Sequence, residues 1–218
     1  MSQDDFAVEP IKGLPGVPPE GEDILWQGRP NWWALSKDSL NVYWIMGYFI
    51  VLAVWRYISL YQVEGTGYAM AGSLPLIILG IVACGILVVI AYIQARMTVY
   101  TITTNRVVMR IGAALTITFN FPYNKISNAI LGLRKDGTGT IALELMGYNK
   151  VSYLVLWPHV RPWKMSSPQP AFRCIDNPED VAKILAEAAE TQINSPQIAS
   201  SKMDTDKFVA AEQRYSHD

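Results

Sequence analysis

Leu74-Pro-Leu-Ile-Ile-Leu-Gly-Ile-Val-Ala-Cys-Gly-Ile-Leu-Val-Val-Ile-Ala-Tyr-Ile-Gln-Ala95 runs without a charge into Arg96, and Met97-Thr-Val-Tyr-Thr-Ile-Thr-Thr-Asn-Arg-Val-Val-Met-Arg-Ile-Gly112 follows at once. As a helix rising about 1.5 Å per residue, the first run spans about 33 Å, enough to cross a hydrocarbon core about 30 Å thick. The second run is dense in β-branched residues and breaks at Thr104-Asn105, as two strands joined by a tight turn would. The sequence therefore places a β domain directly against a membrane surface with no linker.

Upstream, Leu40 to Leu60 holds Val42, Ile45, Met46, Phe49, Ile50, Val51, Leu52, Val54 and Ile58, and reads as a first span. The connection from Tyr61 to Ser73 is Gly-rich. The hairpin thus covers residues 40–95, as spans 40–60 and 74–95. Two spans put both chain ends on one side, and the bases flanking the pair (Arg29, Lys37, Arg96, Arg106 and Arg110) make that side cytoplasmic. Arg56 lies inside the distal end of the first span beside Trp55, Tyr57 and Tyr61, where its guanidinium can reach headgroups. Gly80, Ala83, Cys84 and Gly85 permit close helix packing. Before the hairpin, residues 1–39 end in Ile24–Leu35, where Trp26, Trp32, Trp33 and Arg29 suit the membrane interface; the same stretch could equally cover a face of the β domain.

Mean hydropathy is +0.16, and its excess sits in residues 40–95. The net charge of −1 hides a segregation: residues 25–175 carry thirteen bases and four acids, while both ends are acidic. A basic body beside anionic headgroups fits inner-membrane lipid as a contact and gives no pattern for nucleic acid. Cys84 and Cys174 are too far apart in the pattern to form a disulfide framework.

Downstream, candidate strands are 97–103, 106–111, 114–121, 125–134, 139–146 and 150–157, with turns at Phe121-Pro122, Asp136-Gly-Thr-Gly139 and Gly147-Tyr-Asn149. Asp176-Asn-Pro-Glu-Asp180 then opens an amphipathic helix, with Val181, Ile184, Leu185 and Ala188 on one stripe. The expectation is an α+β chain: a hairpin, an antiparallel β barrel or sandwich over residues 96–192 capped by a C-terminal helix, and a disordered tail at 193–218.

Catalytic constellations are missing. His159 has no carboxylate or cysteine close in sequence, and Asp136-Gly-Thr-Gly139 lacks the Lys-Ser/Thr of a phosphate loop. The expectation is a protein that is not an enzyme and carries no cofactor. Trp157-Pro-His-Val-Arg-Pro-Trp-Lys164 is the candidate partner surface, with Trp157, His159, Arg161, Trp163 and Lys164 as contacts, since Trp and Arg anchor interfaces; the other reading packs its tryptophans into the domain's own core.

Gly21-Glu22 through Leu25-Trp-Gln-Gly-Arg-Pro30, then Tyr100-Thr-Ile-Thr-Thr-Asn-Arg106, then Ile126 before the turn at Gly137 resemble the bacterial pleckstrin-homology-like domains. Over nearly the whole length, through about residue 190, the chain looks like the photosynthetic complex assembly proteins of purple bacteria within that class. Arg134-Lys-Asp-Gly-Thr-Gly-Thr-Ile-Ala-Leu143 and Trp157–Trp163 are among the matching blocks. The resemblance implies an inner, intracytoplasmic photosynthetic membrane location. It also implies a scaffold or chaperone role for nascent reaction-centre subunits, extends to core antenna polypeptides, and leaves room for a homodimer. The alternative is a general lipid- or peptide-binding membrane module.

Overall fold

The computed structural model describes residues 13–14, 16–112, 116–147 and 151–194. Residues 195–218 of the expected disordered tail, most of the acidic N-terminus, the start of the strand expected from 114, and Tyr148 and Asn149 of one turn lie outside them, whereas Ile193 and Asn194, expected in the tail, end the C-terminal helix.

Strand β1 (Ile24–Gly28) and the short helix α1 (Trp32–Asp38) precede two long helices, α2 (Val42–Glu64) and α3 (Thr66–Met97). β2 (Val99–Thr103), β3 (Arg106–Ile111) and β4 (Ile117–Pro122) follow, then β5 (Ile126–Leu133), β6 (Thr138–Leu145), the single turn α4 (Tyr153–Leu156), β7 (Ala171–Asp176) and α5 (Pro178–Asn194). One antiparallel sheet has the order β1-β2-β3-β4 and a second the order β5-β6-β7. Their inner faces supply Tyr100, Ile102, Val107, Met109, Ile141, Leu143 and Phe172, and α5 adds Val181, Leu185 and Ala188 to the same core. This is the expected PH-like arrangement, two sheets closed by an amphipathic C-terminal helix.

The two long helices are long and apolar enough to cross a membrane. They extend beyond the expected spans: the connection expected from Tyr61 to Ser73 is helical except at Gly65, whose φ of 81° turns the chain between α2 and α3. In α2 only Val42 and Ala53 are buried, so Ile50, Val51, Val54, Trp55 and Ile58 face outward. Each large apolar side chain left in water forgoes about 1.5–3 kcal/mol, and such a surface needs an apolar solvent around it. This suggests membrane association. Against each other the helices pack at Gly80, where an added Cβ would come 2.7 Å from Phe49 Cβ. Cys84 is buried there, whereas Gly85 faces open space, so the expected small-residue seam is narrower than its sequence.

The strand expected from 150 to 157 does not form among the described residues 151–157. The segment from 150 to 157 alternates Val151, Tyr153 and Val155 like a strand, yet α4 occupies it; Leu156 N–H reaches Ser152 O (3.1 Å) and His159 N–H reaches Leu156 O (2.7 Å). The third strand of the second sheet is instead β7, whose internal Arg173 breaks the apolar pattern. The turn at Asp136–Gly139 is structural: Asp136 Oδ1 accepts from Thr138 N (3.2 Å) and Thr138 Oγ1 (2.7 Å). Gly137 has φ 79°. Gly139 is needed for another reason, since a Cβ there would lie 2.5 Å from Pro178 Cγ.

Candidate functional site

The chemistry-bearing residues converge where hairpin and sheets meet. Asn31 caps α1, its Oδ1 accepting from Trp33 N (3.1 Å) and Ala34 N (3.2 Å), which satisfies two N–H groups with no helical partner. Asn31 N–H also donates to Cys174 O of β7 (2.7 Å). Ala34 and Leu35 are buried against Ala95 of α3 and Cys174. α1 is therefore a wedge between the last turns of α3 and the second sheet, and α3 enters β2 through Thr98 alone.

At the end of the wedge, Asp38 Oδ2 accepts from Arg134 Nη2 (2.5 Å) and from Arg173 Nη2. The side chain of Arg173 is only 5% exposed, and its Nη1 donates to Val160 O (3.0 Å) and Pro158 O (3.4 Å). Burial pulls the Arg173 guanidinium below its ordinary range, so the carboxylate opposite it offsets a real desolvation cost. Arg134 reaches Thr140 Oγ1 (3.1 Å) and Cys174 Sγ (2.9 Å) as well, while burial pushes the Cys174 thiol up. Beside it Lys37 Nζ meets Asp136 Oδ2 at 3.2 Å. Asp38 thus ties α1, β7 and the β5–β6 turn to one point.

A second knot joins the two blocks that carry the family resemblance. Arg106 donates from Nε to Glu22 Oε1 (2.7 Å) and from Nη2 to Glu22 Oε2 (2.9 Å), and Thr103 Oγ1 donates to the same Oε1 (2.7 Å). Burial raises the Glu22 carboxyl, but the hydrogen bonds and charge of Arg106 and Thr103 outweigh it and hold the group below its ordinary range. Gly21-Glu22 and Thr103–Arg106 are one structural unit across the hairpin.

Of the candidate partner contacts, His159 is a correction. It is 1% exposed, with Nδ1 2.6 Å from Tyr100 Oη and Nε2 3.1 Å from Thr98 Oγ1. Burial depresses its pKa to about 3 and raises that of the Tyr100 hydroxyl. His159 is a core residue under the hairpin's base. The rest of the loop divides: Arg161 is half-buried and donates from Nη1 to Gln169 Oε1 (3.1 Å), Trp157 is exposed on one side, Lys164 is exposed, and Trp163, at φ 64°, is 90% exposed.

The interface candidates also divide. Trp26 stacks on Phe172 with ring centroids 5.9 Å apart, so it covers the β core rather than a headgroup layer. Trp32 and Trp33 are exposed, and Trp32 meets Tyr92 of α3 edge-on at 6.1 Å. Arg96 stacks over the same Tyr92 and donates to its Oη from Nε (3.1 Å) and Nη2 (3.0 Å). Arg29 and Arg56 are exposed. The aromatic cluster at the base of α3 therefore includes Tyr92, which reads as span interior in the sequence. The Asp38 knot was missed too, because its members lie about a hundred positions apart. Among the described residues no group of three or more His, Cys, Asp or Glu side chains could hold a metal ion.

A family model described as bacterial PH domain matches residues 34–189, which takes in the hairpin as well as the sheets. A protein of Rhodobacter capsulatus, described as an uncharacterized 23.7 kDa protein in the puhA 5′ region, is 44% identical over 203 residues, covering 92% of this chain and 95% of its own. No solved structure matches the chain.

Proposed function

The chain belongs to the bacterial PH domain family, and we propose that it is a non-catalytic, membrane-anchored assembly factor for the photosynthetic reaction centre and its core antenna. The observation that carries the reading is the rigid union of anchor and domain: α3 passes into β2 through one residue, and Asp38 pins α1 to both β7 and the β5–β6 turn. A domain so held meets polypeptides in the same bilayer at a fixed height and angle, which suits a scaffold better than a tethered enzyme. The photosynthetic setting is supported by the relative's position in the puhA 5′ region and by the resemblance of the blocks quoted above.

β1 precedes the hairpin and β2 follows it, yet the two pair, so both lie on one side of whatever the hairpin crosses. The flanking bases favour the cytoplasmic side. Reporters fused after Leu35 and Thr191 should then behave as cytoplasmic and one at Gly65 as periplasmic; the reverse pattern would sink the orientation.

The client-facing surface in this proposal is the loop bearing Trp157, Arg161, Trp163 and Lys164, together with the exposed flank of the hairpin. Tagged chain drawn from pigmented membranes should bring reaction-centre subunits with it. Arg161→Ala combined with Trp163→Ala should lower mature reaction-centre content several-fold while the variant stays inserted and folded. Normal assembly with the double variant would remove this loop from the mechanism. Recovery of lipid alone, with no subunit, would favour a general membrane module.

A further inference from the structure

β5 forms one edge of the second sheet, bonded to β6 on one side and to no described strand on the other. Free edges invite pairing, and folded proteins blunt them with charges, prolines, bulges or a covering element. The other edges here are guarded. β1 has a bulge between Ile24 and Trp26, β4 ends in Pro122, and β7 is covered by the bridge from Val160 to Pro170 and by Asn31 on Cys174. β5 reads Ile-Ser-Asn-Ala-Ile-Leu-Gly-Leu with neither charge nor proline, and its one irregularity is at the start, between Ile126 and Asn128. From Asn128 to Leu133 the edge pairs regularly with β6 and all but Ile130 are exposed; Asn128 Oδ1 accepts from Ala129 N–H (2.9 Å), and an added strand must displace that side chain or pair beyond it.

Alongside that edge runs a groove of about 330 Å³ whose far wall is α5. Ala182, Ala186 and Ala189 make that wall shallow, and Leu131 and Ile193 are apolar lips. Among the described residues Glu190 is the only charged one lining it. Outside the groove α5 carries Glu179, Asp180 and Glu187 against Lys183. Small side chains on the helix leave room for the alternate residues of an added strand, and the acid at the rim selects a base.

We propose that the open edge of β5 and the alanine face of α5 bind an extended polypeptide segment of a partner, one alternating apolar side chains with a basic residue placed at Glu190. Main-chain bonds to β5 supply affinity, and the groove selects alternate side chains. A second copy of the chain fits poorly. Arg134 at the end of β5 is held to Asp38, so every copy anchored in one bilayer presents β5 running toward the membrane, and symmetric antiparallel pairing needs opposite directions. The proposal does not depend on the assembly reading.

The test uses the full chain in nanodiscs of neutral lipid and a fluorescein-labelled peptide, Lys-Val-Thr-Ile-Thr-Val-Thr-Ile, followed by anisotropy. Saturable binding is expected. Methylating alternate backbone nitrogens should weaken it at least tenfold, because the methylated amides cannot donate. Ala186→Glu, on an exposed position, should weaken it by a similar factor. Glu190→Lys should reverse the preference between this peptide and one beginning with Glu, and it serves alone if Ala186→Glu lowers the unfolding temperature. Absence of binding, equal binding of the methylated peptide, or indifference to Glu190→Lys overturns the proposal. So does a tenfold gain on deleting residues 195–218, which would make the chain's own end the occupant. Competition between peptide and concentration-dependent dimerisation would assign the edge to a second copy and overturn it likewise.

Discussion

Replacing Asp38 with alanine is expected to cost the fold about 3 kcal/mol, a large share of the roughly 5–15 kcal/mol a domain usually holds. The carboxylate compensates Arg173, whose side chain is 5% exposed, and Arg134, which is 24% exposed; without it two guanidinium groups face each other with no acid between them. Asp38 is itself one-third exposed, so water replaces part of what is lost and the cost falls at the lower end of the range for broken buried pairs. Asp38→Asn, which keeps an acceptor but no charge, should lie between. Adding Arg134→Met to Asp38→Ala should recover part of the loss by removing the like-charge contact. Thermal and denaturant unfolding of the full chain, followed by tryptophan emission, would measure all three. An unchanged Asp38→Ala midpoint would mean that packing of Leu35 alone fixes the wedge.

Acid should weaken the protein well above the carboxylate range. His159 is neutral and fully enclosed, with its folded pKa depressed to about 3 against an ordinary value near 6.5. Below pH 6.5 the unfolded chain takes up a proton there and the folded chain does not, so stability falls as pH falls, by about 1.4 kcal/mol per unit. Between pH 6.5 and 5 the loss should reach about 2 kcal/mol. Glu22 and Asp136, whose pKa values are lowered, contribute stability that disappears only at lower pH, as the unfolded carboxylates protonate. The upper window therefore belongs to His159. His159→Gln should start from lower stability, because Tyr100 and Thr98 lose their fitted partner, yet its pH profile from 6.5 to 5 should be flat. A wild-type profile equally flat would contradict the enclosed, neutral imidazole.

Much of this architecture was legible from periodicity. The uncharged run before Arg96, the β-branched run after it and the stripe of α5 each repeat one pattern long enough to be read. α1 and β1 were not, because Trp26, Trp32 and Trp33 give an interfacial composition to a stretch whose first tryptophan is core and whose other two are surface. α4 is a single turn, shorter than a helical period can show, and the alternation of Val151, Tyr153 and Val155 imitates a strand. β7 hides because Arg173 points to Asp38 in a pattern that otherwise reads apolar. His159 was visible as a residue but not as a core group, since Thr98 and Tyr100 lie some sixty positions away and only the fold brings them together.

The pairing of β1 with β2 has a consequence for biogenesis. Ile24 leaves the ribosome long before its register partner Thr103, with both long helices made between them. If those helices cross the bilayer, Glu22 can close on Arg106 only after both have inserted and returned the chain to its starting side. A helix that fails to cross, or crosses alone, leaves β1 without its neighbour and the core around Trp26 and Phe172 open to solvent and quality control. Completion of the first sheet would then act as a proofreading step on insertion, admitting to the folded pool only chains whose hairpin has been threaded correctly.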